Sequence, residues 1–211
     1  MNINYNHIVD YLNNIYIDED FIEIRNYGIE NNIPIMKKES KEFLKTIISI
    51  SKPKNILEIG TAIGYSSLLF SKYSNAKITT IEKSRKMADI AKSNFKKYDK
   101  EIKLINMDAK KALSNLNQGF DFVFIDANKS QYEYYFNKSL ELLNENGLIV
   151  CDNILFRGEV TNDDIINRRH ITMVKNLRKF LSYITNLDDY VTSIIPIGDG
   201  ISLSTRRIDE R

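Results

Sequence analysis

"FVFIDANKSQY", residues 122–132, opens as an apolar strand and ends in a polar cluster. Phe122 to Ile125 are apolar, and Asp126, Asn128 and Lys129 follow at once. "LIVCDN", residues 148–153, repeats the pattern, with Asp152 and Asn153 directly after Cys151. Short continuous apolar runs read as strands buried on both faces, as in a parallel sheet. Outward from these two, such runs alternate with amphipathic stretches. "NILEIG" precedes "YSSLLFSKY", "KITTIE" precedes "SRKMADIAKSNFKKY", "IKLINMD" precedes "AKKALSNL", and "FDFVFID" precedes "SQYEYYFNKSLELL". "GLIVCDN" closes the series. This alternation predicts an α/β fold with a mostly parallel sheet and helices on both of its faces.

The two ends of the chain depart from the alternation. Ile8, Val9, Leu12 and Ile15 share one helical face, as do Phe21, Ile22, Ile24 and Ile29, and "KEFLKTIISIS" follows Pro34 as a third helix. Near the C-terminus, a helix around "HITMVKNLRKFLSYI" leads into "YVTSIIPIGDGISLSTRR". That tail reads as two strands around the turn "IGDG", added antiparallel to one sheet edge. With 211 residues, 43% of them hydrophobic, one domain with a real core is expected. It divides into N-terminal helices (1–52), a sheet core (53–156) and a C-terminal segment (157–211).

Thirty Lys and Arg against 28 Asp and Glu leave a net charge of only +2, so there is no polybasic tail. A single cysteine, Cys151, cannot form an internal disulfide, and nothing argues for secretion. The start is polar and interrupted by acids, unlike a signal peptide or a membrane span. A soluble cytoplasmic protein is expected.

Ligands of open parallel sheets sit beyond the carboxyl ends of the strands, near the point where strand order reverses. "LEIGTAIGYS", residues 57–66, lies at such an end. Gly60 and Gly64 allow a tight turn and close backbone approach, and Ser66 can donate near a helix N-terminus. Their G-x-x-x-G spacing is not the G-x-G-x-x-G of dinucleotide enzymes, and alone it marks only a turn. Glu82, ending the second strand, can accept both hydroxyls of a ribose, or simply cap a helix. Asp108, after the third, can accept from an adenine amino group or serve as an N-cap. Together the turn and the two acids point to an adenosine site.

Asp126, Asp152 and Asn153 end two strands expected to be sheet neighbours, so their side chains can converge. Two carboxylates and an amide form a hard oxygen set suited to Mg²⁺, Mn²⁺ or Ca²⁺. Capping and turn formation by Asp and Asn is the structural alternative. Zinc is disfavoured, because the only histidines are His7 and His170 and the only cysteine is Cys151. Lys129 is either a solvated charge or, beside a divalent cation, a base whose pKa falls from about 10.4 towards neutrality.

Taken together these residues resemble the metal-dependent class I O-methyltransferases that use S-adenosylmethionine, including the catechol and caffeoyl-CoA enzymes. The resemblance runs from "NNIPIM" to "PIGDGISLS". It implies a Rossmann-like, seven-stranded fold, an S-adenosylmethionine cofactor and Mg²⁺ or Mn²⁺. "LEIGTAIGYS" resembles the family's methionine-binding turn, bringing Glu58, Gly60 and Ser66 to the cofactor. "IE" at Ile81 and Glu82 resembles its ribose acid, and "MDA" at Met107 to Ala109 its adenine loop. "DANK" resembles the metal acid Asp126 and catalytic Lys129, and "DN" the other ligands, Asp152 and Asn153. Met36, Ser66, Glu82, Asp108, Ala109 and Asp126 are implied to touch S-adenosylmethionine, and a homodimer is implied. "IPIM", "ILEIGTAIGYS", "VFIDANKSQY", "DNILFRGEV" and "IIPIGDGISLS" are similar to the bacterial tRNA 5-hydroxyuridine methyltransferases in particular. Two departures stand out. Met107 replaces a usual Gly, which would tighten the adenine loop, and Lys38 to Ser40 replaces a stretch where many relatives have Gly.

Composition leaves the acceptor open. Between Arg157 and Lys179 six cations (Arg157, Arg168, Arg169, Lys175, Arg178 and Lys179) stand against Glu159, Asp163 and Asp164. Such a segment can hold the phosphates of a tRNA anticodon stem-loop, through Arg157, Arg168 and Arg169, or can be an ordinary charged helix face. A small catechol or phenylpropanoid acceptor is the alternative. A non-catalytic cofactor- or RNA-binding module is a further one, and intact Asp126, Lys129, Asp152 and Asn153 argue against it.

Overall fold

The computed structural model describes residues 3–16 and 20–207. Residues 1–2 of the polar start, 17–19, and 208–211 of the C-terminal segment lie outside that description. Three helices come first: α1 (Asn6–Ile15), α2 (Ile22–Glu30) and α3 (Lys38–Ser51). The alternating part follows as β1 (Asn55–Ile59), α4 (Tyr65–Tyr73), β2 (Lys77–Glu82), α5 (Arg85–Lys97), β3 (Lys103–Asn106), α6 (Ala109–Ser114) and β4 (Phe120–Ile125). It continues with α7 (Tyr132–Leu142) and β5 (Leu143–Cys151), and ends in α8 (Ile171–Thr185), β6 (Tyr190–Ile195) and β7 (Ile201–Arg206). Among the described residues no helix is long and apolar enough to cross a membrane.

The seven strands form one sheet in the order β3-β2-β1-β4-β5-β7-β6. β1 to β5 pair in parallel, while β7 runs antiparallel to both β5 and β6. The alternation along β4 explains why its apolar run is unbroken. Val123 and Ile125 join the core beneath α7 and α8, with Leu177 and Phe180. Phe122 and Phe124 join the opposite core, with Leu44 and Ile48 of α3. There Phe70 meets both rings edge-on, at centroid distances of 5.9 and 5.3 Å. Each such buried side chain contributes about 1.5–3 kcal/mol relative to exposure.

Two elements differ from the reading of the sequence. α3 begins at Lys38, ahead of the apolar run, so the stretch 38–40 is the first turn of a helix. β5 begins at Leu143 rather than at Gly147. Leu143 pairs with Phe120 and Leu148 with Phe122, so the intervening polar residues are carried as an irregularity in the ladder.

After β1 the chain winds outward through β2 and β3, then returns to place β4 on the other side of β1. The crevice beyond the carboxyl ends of β1 and β4 is thus the switch point, where ligands of such sheets bind. Gly60 is required there. Its φ is +105°, and a Cβ would lie 2.0 Å from the Asp126 carbonyl oxygen across the crevice.

Candidate active site

A cavity of about 390 Å³ occupies this crevice. Gly60, Ser66, Glu82, Asp108, Ala109, Asp126, Lys129 and Asn153 line it, and Met36 joins from the segment before α3. Glu82 ties the glycine turn to the end of β2: Oε2 accepts from Ala62 N at 2.9 Å and Oε1 from Ser84 N at 2.7 Å. Asp108 does double duty. It caps α6 by accepting from Lys110 N at 3.1 Å, and Lys83 Nζ stands 3.1 Å from its Oδ2. The Lys83 ammonium holds this carboxyl below its ordinary range.

Glu58 is placed differently from the others. It lies on β1, is wholly buried, and is absent from the cavity lining. Ser66 and Ser67 donate their hydroxyls to its two oxygens, and Thr80 Oγ1 donates to Oε2 at 2.5 Å. The resemblance brings Glu58 to the cofactor; here it holds Ser66, which does line the cavity. Burial pushes its pKa up to about 7, against the opposing effect of the three hydroxyl bonds.

Asp126 and Asp152 follow the neighbouring strands β4 and β5, as expected. Their backbone N–H groups extend the ladder, Asp126 N to Ile59 O and Asp152 N to Ile125 O, both at 3.0 Å. Asp152 lies beneath the floor and is buried. Its Oδ1 accepts from Asn153 N at 2.7 Å, while its Oδ2 accepts no hydrogen bond among the described residues. Burial, followed by the charge of Asp126, pushes Asp152 up to about 8. Burial raises Asp126 as well, with Lys129 opposing. Lys129 Nζ donates to Asn153 Oδ1 at 3.2 Å and stands 3.8 Å from Asp126 Oδ1.

No group of three or more His, Cys, Asp or Glu side chains able to hold a metal occurs among the described residues. The donor set here is two carboxylates and one amide oxygen. An unbonded Asp152 Oδ2 and two carboxyls that resist ionisation fit a hard divalent cation, which would favour their charged forms.

A sequence model described as O-methyltransferase matches residues 14–208. The chain belongs to this O-methyltransferase family. It is 31% identical over 201 residues to "Probable caffeoyl-CoA O-methyltransferase 2" of Dictyostelium discoideum, covering 90% of this chain and 85% of that protein. The crystal structure of a candidate caffeoyl-CoA O-methyltransferase from Staphylococcus aureus superposes with a TM-score of 0.89 at 31% identity, covering 96% of this chain and all of the other. The SAH-bound Podospora anserina methyltransferase superposes with a TM-score of 0.87 at 26% identity, covering 97% and 98%.

Other residues of this cavity were not legible beforehand. Tyr65, Asn128 and Tyr135 also line the cavity. Asn128 stands inside the "DANK" motif, whereas Tyr135 reaches the site only because α7 packs beside α6. Met107 lies outside the lining and is 39% exposed. Arg157, Arg168 and Arg169 also lie outside the lining and are exposed, and their guanidinium groups have no carboxylate partner among the described residues. Arg178 is different: it bonds to Val160 O and Asp163, and so braces the segment.

Proposed function

We propose that the chain is an S-adenosylmethionine- and divalent-metal-dependent O-methyltransferase whose acceptor is 5-hydroxyuridine in the tRNA anticodon loop, giving 5-methoxyuridine. The observation that carries the acceptor is that the exposed guanidinium groups of Arg157, Arg168 and Arg169, on the segment that leaves Asn153, have no carboxylate partner among the described residues. Exposed guanidinium groups without carboxylate partners suit phosphates. The motifs "DNILFRGEV" and "IIPIGDGISLS" support the same choice.

In this reading Glu82 accepts from the ribose hydroxyls, Asp108 and Ala109 border the adenine, and Ser66 and Gly60 wall the methionine end. S-adenosylmethionine supplies the sulfonium-bound methyl group. Asp126, Asp152 and Asn153 would hold Mg²⁺ or Mn²⁺, which when bound supplies Lewis-acid charge beside the acceptor oxygen. Lys129 Nζ, in its uncharged amine form, takes the acceptor's hydroxyl proton. The oxygen then forms its bond to the methyl carbon as the carbon–sulfur bond breaks, leaving neutral S-adenosylhomocysteine. Holding the two reactants in line is the chain's main contribution, and such orientation can be worth about 7–11 kcal/mol.

A second reading, a catechol or phenylpropanoid thioester acceptor, is favoured by the name of the Dictyostelium relative. Transfer of labelled methyl to a hydroxyuridine-containing anticodon stem-loop, set against catechol and caffeoyl-CoA, separates the two. Higher kcat/KM on catechol or caffeoyl-CoA would replace the RNA reading. Exposed Ile8, Tyr11 and Ile15 on α1 support a homodimer. A single-chain mass by sedimentation at micromolar concentration would remove that part.

A further inference from the structure

The turn "IGDG", residues 197–200, joins β6 to β7 and takes no part in the chemistry above, yet it touches both sides of the site. On the acceptor side it receives three successive hydrogen bonds. Ile154 N donates to Gly200 O at 3.0 Å, Leu155 N to Asp199 O at 3.0 Å, and Arg157 N to Asp199 Oδ1 at 2.6 Å. On the cofactor side Lys37, next to the cavity residue Met36, donates through Nζ to Gly198 O at 3.0 Å. Both glycines are needed for this fit. A Cβ on Gly198 would lie 2.0 Å from Ser40 Oγ, and one on Gly200 would lie 2.4 Å from Leu155 Cγ.

The segment so gripped has an unusual backbone. Asn153, Phe156 and Arg157 hold φ values of +57°, +41° and +57°. Residues other than glycine keep such angles only where their surroundings fix them. The fixed path matters, because it begins at Asn153, bonded to Lys129, and ends at Arg157, whose side chain is exposed.

We propose that Asp199 is a positioning residue for the acceptor side, holding residues 153–157 in the bent path that sets where Asn153 and Arg157 stand. It touches no lining residue's side chain among the bonds described, and it acts through the backbone of this segment. The inference rests on the cavity being the methyl-transfer site, and it holds for whichever hydroxyl acceptor is the substrate. Hydrogen exchange separates the two, since it reads the segment without any turnover.

The test compares Asp199→Ala with Asp199→Asn, which keeps an oxygen to accept from Arg157 N. In Asp199→Ala, amide exchange at residues 154–157 should accelerate about tenfold or more, the effect of losing a bond to a charged group. The acceptor KM, measured with whichever of the anticodon stem-loop or catechol is turned over, should rise by about tenfold. S-adenosylmethionine affinity should stay at the wild-type value. Asp199→Asn should recover most of both losses. Wild-type exchange at residues 154–157 in folded Asp199→Ala would overturn the proposal, as would equal losses of cofactor and acceptor binding. If Asp199→Ala does not fold, Asp199→Asn decides alone. Loss of the charge should still speed exchange at Arg157 by about threefold, and unchanged exchange there overturns the inference.

Discussion

Lys129 Nζ donates a 3.2 Å hydrogen bond to Asn153 Oδ1, joining the loop after β4 to the residue just beyond β5. The same ammonium stands 3.8 Å from Asp126 Oδ1, so one cation spans both strand ends. A lysine so placed is in reach of an acceptor hydroxyl that approaches these oxygens. Replacing Lys129 with Ala should lower single-turnover methyl transfer by about 10²–10⁴, the usual loss of a general base. S-adenosylmethionine binding should be nearly unchanged. A small loss, with the same rate profile across pH as the wild type, would reduce Lys129 to positioning the acceptor.

Glu58 makes the stability of the fold depend on pH. Its folded pKa of about 7 exceeds the ordinary 4.5, so between these values the folded chain binds more protons than the unfolded one. The stability tied to its proton is full below about pH 4.5 and is lost as pH rises through 7, on the order of 3 kcal/mol. Glu58→Gln removes this titration while keeping groups that can bond Ser66, Ser67 and Thr80. Compared with the wild type, the variant should gain relative stability between pH 5 and pH 8 in thermal melts. An equal difference in Tm at both pH values would show that Glu58 does not titrate there.

The oxygen set at Asp126, Asp152 and Asn153 should take up a divalent cation. EDTA should abolish methyl transfer, Mg²⁺ or Mn²⁺ should restore it, and Asp152→Ala should resist rescue. Binding should also show without turnover: at a hundredfold excess over Kd the metal stabilises the fold by about 2.7 kcal/mol. Full activity in EDTA, with no shift in Tm on adding metal, would take the cation out of the mechanism.

Glu82 accepts from Ala62 N and Ser84 N and keeps further lone pairs for a ligand in the cavity. Glu82→Ala should weaken S-adenosylmethionine binding by about 1.5–3 kcal/mol, the range for bonds to a charged group. Titration calorimetry that gave wild-type affinity in the folded variant would place the ribose elsewhere.

Arg168 and Arg169 are exposed without carboxylate partners among the described residues, whereas Arg178 is tied to Asp163. Replacing the first two with Ala should weaken stem-loop binding and flatten its salt dependence by about 0.7 per lost phosphate contact. Transfer to catechol, which has no phosphate, should change little. Wild-type affinity and salt slope would make the pair a solvated surface.

The sheet could be read from the sequence because β4 is buried on both sides, which leaves Phe122 to Ile125 uniformly apolar. The gathering of Glu82, Asp108 and Asp126 around one cavity could be read because the topology brings the strand ends to one switch point. That Glu58 lies off the cavity lining was not legible, because its partners, Ser66, Ser67 and Thr80, become neighbours only once α4 and β2 pack on β1. The signal was nevertheless present: an acid inside a run apolar on both faces has no route to solvent. The early start of β5 was hidden by Asn144, Glu145 and Asn146, exposed polar residues that fall in the irregular stretch of the ladder between Leu143 and Leu148.

Nucleoside mass spectrometry of total tRNA from cells with and without this gene tests the proposed acceptor most directly. Loss of 5-methoxyuridine, with 5-hydroxyuridine accumulating in its place and the modification returning on expression of the wild type but not of Lys129→Ala, is the expected result. An unchanged 5-methoxyuridine level in cells that make it and lack this chain would contradict the tRNA assignment.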